Sequence, residues 1–227
     1  MRVSVIGSCR VYTPIERARA SGLIEIGHEG SDWFTHSTKD TLQKIEIVNR
    51  RALLAEDMIP LVINERKKYK IERYRSNFYE GTDVFLIEIC SIKLFKLHQL
   101  YLQQWCVRDA LQREEGDRIR QLAAAAERSL MTSADIAQDL SEIRAKLGAP
   151  VLFVTHNRLP KPTGEVPAER LRILSAMEHG VPGHYFDPTD SIRHYGIEKA
   201  MKDPAHYTAD FEAFLGVRIV EHLKRLL

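Results

Sequence analysis

Asp83-Val84-Phe85-Leu86-Ile87-Glu88-Ile89 is a nearly continuous apolar run rich in β-branched residues, the strongest constraint that the 227-residue chain places on its own fold. A strand with one wet face alternates apolar and polar side chains. A strand that does not alternate must be covered on both faces, as in a parallel sheet flanked by helices. Val3–Gly7, Leu23–Ile26, Pro150–Val154 and His184–Phe186 read as further strands. Helical stretches separate them. Thr13-Pro14 opens a short helix that stops near Gly22, and Ser37 or Thr38 caps a longer one through Leu42, Ile45, Ile47 and Val48, with Asp40 in its first turn. Pro167 to His179, stopped by Gly180, and about Asp210 to Leu227 read as later helices. Strands alternating with helices predict an α/β, three-layer sandwich with a mostly parallel central sheet, formed as one domain over residues 1–227. From Lys93 to Leu147 the composition, rich in Leu, Gln, Ala, Glu and Arg and lacking Pro, predicts two or three helices, the last from Ser133 to Gly148. The span from about 94 to 147 therefore reads as a helical insertion, a lid or a homodimerisation surface.

Composition narrows the function classes. With 33 Lys+Arg against 31 Asp+Glu the formal net charge is +2, which gives no footing for nucleic-acid binding. The densest charge run, Glu65–Lys70, is mixed in sign and reads as a solvated helix face. No apolar stretch approaches the roughly 20 residues of a membrane-spanning helix, and Met1–Gly7 is already shaped as a strand and not as a signal peptide. Cys9, Cys90 and Cys106 are too few and too scattered for a disulfide framework or a zinc site. These features together predict a cytoplasmic protein with no metal.

In open α/β sheets, ligand chemistry collects at the carboxyl ends of the strands. That rule selects Gly7-Ser8-Cys9-Arg10, Cys90-Ser91 and Thr155-His156-Asn157 before any motif is invoked. Cys9, at a strand-to-helix turn, can sit at a helix N-terminus that lowers its pKa and supports an oxyanion, with Gly7 allowing the sharp turn; as a free Cys it can equally be a small buried residue. Asp203-Pro204-Ala205-His206 precedes the terminal helix, and an Asp three residues before a His can take its Nδ1–H and leave Nε2 as a general base. The plainer alternative is a turn in which Asp203 caps local backbone. His36, Ser37 and Lys39, at the start of the helix after the second strand, form a natural anion site or a plain cap. Asn157 can donate its amide to an oxyanion or simply make a turn. Cys90 is expected to pack beneath the site and Cys106, beside Trp105, in the core. Glu88 inside an apolar strand needs a partner, with Arg10 or Lys93 the candidates.

An early strand ending in Gly-x-nucleophile, an alternating α/β body and Asp-x-x-His just before the last helix resemble the SGNH/GDSL hydrolase superfamily. That family's first block reads Gly-Asp-Ser; here it reads Gly7-Ser8-Cys9, placing Cys9 on the nucleophile position. His206-Tyr207-Thr208 with Asp210-Phe211 is similar to its last block. The family's Gly-x-Asn-Asp after the third strand is replaced by Cys90-Ser91-Ile92-Lys93, which removes the usual oxyanion Asn, and the block-two Gly falls at Gly27 or Gly30. Bacterial polysaccharide-biosynthesis proteins with Gly-x-Cys at the first strand are similar in this respect and are linked to acyl transfer from a thioester. The resemblance implies an acyl-ester hydrolase or acyltransferase. Cys9 is its nucleophile, with Ser8 the alternative at one residue out of register against Gly7; His206 is its base and Asp203 the partner of His206. Ser8, Arg10, His36, Ser37, Lys39, Ser91 and Asn157 are oxyanion or substrate-binding candidates. It implies a small-molecule or carbohydrate substrate and no required cofactor, with an acyl-CoA as one donor it allows. The alternative is a non-catalytic carbohydrate- or protein-binding relative. A dinucleotide-binding reading lacks Gly-x-Gly-x-x-Gly after the first strand.

Overall fold

The computed structural model describes residues 1–27, 35–49, 54–63, 79–160, 164–204 and 206–227. The charge run Glu65–Lys70 and the block-two candidate Gly30 lie outside them. In chain order the described elements begin with β1 (Arg2–Ile6), α1 (Cys9–Ala20), β2 (Glu25–Ile26), α2 (Thr38–Val48), α3 (Ile59–Val62) and β3 (Val84–Ile89). Next come β4 (Lys93–Leu97), β5 (Leu100–Tyr101), α4 (Gln104–Ala110), α5 (Arg118–Ala124), β6 (Glu127–Leu130), α6 (Ser133–Leu147) and β7 (Val151–Thr155). The chain closes with α7 (Ala168–Gly180), β8 (Tyr185–Phe186), α8 (Thr189–Tyr195), α9 (Ile197–Ala200), β9 (Met201–Asp203), β10 (His206–Tyr207) and α10 (Ala209–Lys224).

The central sheet has five strands in the order β2-β1-β3-β7-β8, all parallel. This is the flavodoxin-like 2-1-3-4-5 order, whose chain reverses its winding direction between β1 and β3. Every residue of β3 and β7 is buried, as the non-alternating run requires. The period-two geometry of β3 sorts its side chains by face. Val84 and Leu86 join Val11, Ile15, Phe211, Leu215 and Ile219 of α1 and α10 on one side. Phe85, Ile87 and Ile89 join Leu42, Ile45, Ile136, Leu140, Ile173 and Met177 of α2, α6 and α7 on the other. Glu88 therefore continues the Val84–Leu86 row, on the α1 side, at the strand's carboxyl end.

Three sequence expectations need correction. The first helix does not open at Thr13-Pro14; it opens at Cys9, because the Ser8 hydroxyl accepts the Arg10 N–H and the Ser8 carbonyl accepts those of Val11 and Tyr12, leaving Pro14 inside the helix. The segment after Lys93 is not all helix. β4 pairs antiparallel with β5 and with β6, Lys93 opposite Leu130 and Lys96 opposite Glu127, so cross-strand pairing overrides a helix-prone composition. The start and end of α6 agree with expectation: Thr132 and Asp135 form a reciprocal capping box and Gly148 takes φ 67°. Yet α6 is a layer of the main core through Ile136, Leu140 and Ile143, so it belongs to no insertion. The β4–β6 sheet with α4 and α5 instead builds a separate apolar cluster around Leu97, Leu102, Val107 and Leu122.

α1 and α10 pack with almost no space between backbones. A Cβ on Gly216 would lie 2.3 Å from the Pro14 carbonyl oxygen. Gly216→Ala should therefore destabilise the protein by about 2 kcal/mol, although Ala is the better helix former by about 1 kcal/mol. Urea unfolding checks this, and a stabilised variant would contradict the packing.

Candidate functional site

The site begins from one buried carboxylate. Glu88 is 1% exposed, and an ion so placed must be paired and hydrogen-bonded. Its Oε1 accepts the Arg10 Nε–H at 2.9 Å and pairs with Nη2 at 2.9 Å, while Oε2 accepts the Ser8 N–H at 2.8 Å. Of the two partners expected for Glu88, Arg10 is the one observed; Lys93 pairs with Glu169. Burial would raise the Glu88 pKa, but Arg10 and Ser8 outweigh it and hold the carboxylate ionised below its ordinary range. Burial likewise acts to lower the Arg10 pKa, and Glu88 reverses it. The turn that carries Cys9 is thus tied to β3 on both sides of the sulfur. Gly7 serves this closeness, not a special backbone angle: a Cβ there would lie 2.4 Å from Val11 Cγ2 and 2.8 Å from Glu88 Cβ.

Cys9 is the first residue of α1 and is exposed. Its pKa is raised on balance, although its own backbone N–H acts to lower it. Local burial raises it, Arg10 opposes that, and Glu88 reinforces it. Cys9 therefore rests as a thiol and needs a base to become a nucleophile.

The Asp203–His206 pair forms as the spacing predicts. β9 and β10 make a short antiparallel hairpin. Asp203 Oδ2 lies 2.8 Å from His206 Nδ1, and Oδ1 lies 3.0 Å from Nδ1 while accepting the His206 N–H at 2.9 Å. Asp203 thus both caps local backbone and fixes the ring, leaving Nε2 outward. The ring is 57% exposed. Its neighbour Tyr207 points the other way, 7% exposed and edge-on to Phe211 at 5.1 Å. Tyr207 anchors the hairpin near the Ser8–Arg10 turn: burial raises its phenol pKa, with Arg10 and Glu88 among the charges it feels and a hydrogen bond with the Asn157 side chain opposing the rise.

The remaining candidates separate. His36 and His156, both next to the Arg10–Glu88 pair, are pushed down to about 4, chiefly by burial and also by Arg10. His156 stands at one of the strand ends that the sequence selects and Tyr207 beside His206, but the sequence assigns neither residue a role in the site. Cys90 does pack into this cluster, its thiol pushed up to about 12 by burial and Glu88, and Cys106 is buried with Sγ on Gln103 Oε1. Ser37 acts as a helix cap, accepting the Asp40 N–H at 3.2 Å. Lys39 points elsewhere, to Asp139 of α6 at 2.7 Å. The Ser91 hydroxyl accepts the Lys93 N–H and faces Gln104 Oε1, so it orders the β3–β4 link. Gly27 donates its N–H to the Val3 carbonyl at 2.8 Å, as part of the sheet. Among the described residues no group of three or more His, Cys, Asp or Glu could hold a metal ion, and no helix is long and apolar enough to cross a membrane.

The neutral histidines carry a pH signature. The unfolded chain takes up each proton near 6.5, the native protein only near 4, so between these values the unfolded state binds more protons and stability falls as pH falls. Each fully shifted imidazole contributes on the order of 3 kcal/mol at pH 4. Asp40, raised to about 6 by burial, acts with the opposite sign and offsets roughly one of them. His156→Gln should therefore lose less stability than wild type between pH 7 and pH 4.5 in urea titrations; an equal loss would contradict a buried neutral His156.

Comparison with known proteins adds a family. The model described as "TviD N-terminal domain" matches residues 1–129 and 117–222. The chain is 24% identical over 253 aligned positions to the "Vi polysaccharide biosynthesis protein TviD" of Salmonella typhi, a match covering 92% of the chain and 30% of that relative. The chain therefore spans under a third of the relative's length.

Proposed function

This chain belongs to the TviD N-terminal domain family, and from that premise we propose that it is a cysteine-dependent acyl-transfer enzyme of SGNH-like type acting on a carbohydrate. The relative's name points to polysaccharide biosynthesis; the chemistry is argued from the site. What supports the reading is an exposed cysteine at the start of α1, together with a hydrogen-bonded Asp203–His206 dyad on a hairpin whose next residue, Tyr207, feels the charge of Arg10, the residue after Cys9.

In the proposed reaction His206 Nε2 removes the Cys9 proton as the sulfur attacks an acyl carbonyl. The carbonyl π electrons move to oxygen, then return to expel the alcohol or thiol of the donor, which takes the proton from His206. A thioester remains on Cys9. An acceptor hydroxyl, from water or a sugar, gives its proton to His206 and attacks that thioester, and the Cys9 sulfur leaves and regains the proton. Asp203 keeps His206 in the tautomer this requires. A raised thiol pKa supports a base-assisted attack, since a resting thiolate would need none. A thioester donor such as an acyl-CoA suits a thiol nucleophile, with hydrolysis or transfer decided by how well the acceptor pocket excludes water.

The alternative is a carbohydrate-binding relative without catalysis. The occupied backbone donors favour it: Ser8 N–H serves Glu88, and Cys90 and Ser91 N–H both serve the His36 carbonyl.

Acylation separates the two. Wild-type protein incubated with p-nitrophenyl esters or acyl-CoA thioesters should gain one acyl mass, absent in Cys9→Ala and slowed by about 100-fold or more in His206→Ala. No adduct with any donor would support the binding module.

A further inference from the structure

Asn157, just past the end of β7, is fully engaged: its Oδ1 accepts the Arg170 Nη1–H at 3.1 Å, and its side chain hydrogen-bonds with Tyr207. Arg158, the next residue, is only half engaged. Asp187 Oδ2 accepts its Nε–H, and Asp187 is itself fixed by accepting the Thr189 N–H at 2.8 Å. Neither terminal nitrogen of the Arg158 guanidinium has a partner among the described residues. Arg158 lines a cavity of about 420 Å3 at the free edge of β8. The register sets Phe153 against Tyr185, with the Phe153 N–H on the His184 carbonyl, so the Tyr185 N–H and C=O turn away from β7 to this edge. The side chains of Glu178 from α7 and Ser191 from α8 line the same cavity and make no hydrogen bond or ion pair within the described residues. His222 of α10 donates its Nδ1–H to the Arg218 carbonyl at 2.9 Å, so the neutral ring presents Nε2 as an acceptor. A second cavity of about 410 Å3 adjoins the first and shares Asp190, Ser191 and Arg218 with it. There His194 stacks on Phe214, with ring centroids 6.3 Å and planes 20° apart.

We propose that these joined cavities form a groove for a neutral oligosaccharide, the carbohydrate on which the proposed enzyme acts. The inference rests on the carbohydrate part of that reading and not on the Cys9 chemistry. The charges of the lining disfavour an ion: Arg158 and Arg218 are interleaved with Glu178, Asp187 and Asp190, so an anion meets carboxylates and a cation meets guanidinium groups. Sugar hydroxyls both donate and accept. The groove offers unpaired groups of both kinds, donors on Arg158 and the Tyr185 N–H and acceptors on Glu178, His222 and the Tyr185 carbonyl. Leu174 and Phe186 give the first cavity an apolar surface, and the His194–Phe214 stack gives the second a flat one, for the C–H faces of sugar rings. Each cavity lies within the range of about 300–1,000 Å3 typical of small-molecule sites, and two in line suit a chain better than a single ring. A peptide strand fits poorly, because the two-residue β8 turns only one residue's N–H and C=O outward, too short an edge for strand addition. Arg158 and Asp187 stand just past the carboxyl ends of β7 and β8, the end of the parallel sheet at which Cys9 follows β1. The groove therefore starts on the side of the molecule where the proposed chemistry takes place.

The test titrates the protein with neutral tetrasaccharides of glucose, galactose and N-acetylglucosamine, and with the matching monosaccharides, by calorimetry and saturation-transfer NMR. At least one tetrasaccharide should bind with a Kd of about 1 mM or tighter, and about tenfold or more tighter than its monosaccharide. Equal affinity for the two lengths would overturn the joined groove. Glu178→Ala and Ser191→Ala should each weaken binding about tenfold with Tm unchanged, since neither side chain has a partner to lose. Binding should persist in Cys9→Ala and His206→Ala; its loss there would place the sugar at the Cys9 centre and overturn the assignment. Wild-type affinity in both Glu178→Ala and Ser191→Ala, or no binding of any tetrasaccharide, would overturn it as well. Displacement of the sugar by inorganic sulfate or by tetralysine would mark an ion site and contradict it. Sugar binding without acylation of Cys9 by any donor would leave the groove standing while the acyl-transfer reading falls, and acylation without sugar binding would do the reverse.

Discussion

The Glu88 carboxylate organises the carboxyl edge of the sheet. One buried anion holds the Arg10 guanidinium and the Ser8 N–H at once, and Cys9 lies between those two residues in sequence. In a parallel sheet the crossover between β1 and β3 leaves an unfilled crevice; here the crevice is bridged by charge-assisted hydrogen bonds that are stronger than neutral ones and sensitive to direction. Removing either partner would leave a desolvated ion, a penalty on the order of 3 kcal/mol. The same pair sets the electrostatic tone of its neighbours. Arg10 helps keep His36 and His156 neutral, while Glu88 adds to the burial that keeps the Cys9 and Cys90 sulfurs protonated.

That arrangement divides the proposed labour. In the proposed reaction Cys9 is positioned by the core but not activated by it, so activation falls to His206 on a separate hairpin. Alternation along β10 explains the delivery: Tyr207 is driven into the aromatic cluster with Phe211, and His206 is turned outward with its Nδ1 on Asp203. An exposed hydrogen-bonded pair of this kind contributes little to stability, about 0–1 kcal/mol. Its geometry is therefore better understood as holding an imidazole tautomer than as holding the fold.

The sheet was legible because its signals are local and redundant. Val84–Ile89 and Val151–Thr155 are buried on both faces, and no helix of that length would carry such β-branched runs between Gly and Pro. A cap at Ser37 or Thr38 with Asp40 in the first turn, and the close of α6 at Gly148, were readable for the same reason, and the structure places the cap at Ser37. Lys93–Leu97 and Glu127–Leu130 were not, since their strand character comes from each other across 29 intervening residues of chain and not from composition. At the site, strand ends and spacing select Cys9, Asp203 and His206 as candidates and foretell the Asp203–His206 hydrogen bond, while for buried Glu88 they leave Arg10 and Lys93 both open as partners. Three features required coordinates: the diversion of Lys39 to Asp139, the consumption of backbone donors by Glu88 and His36, and the lock that Arg170 places on Asn157. Each depends on contacts between elements that sequence spacing does not encode.

The central claim is that the Cys9 sulfur and the His206 imidazole share one cleft. It is tested most directly by the rate of Cys9 alkylation with iodoacetamide near neutral pH, resolved by peptide mass against Cys90 and Cys106. A shared cleft predicts that Cys9 reacts much faster than the other two thiols and that the advantage disappears in His206→Ala. Equal, slow labelling of all three cysteines, or a Cys9 rate indifferent to His206, would contradict it.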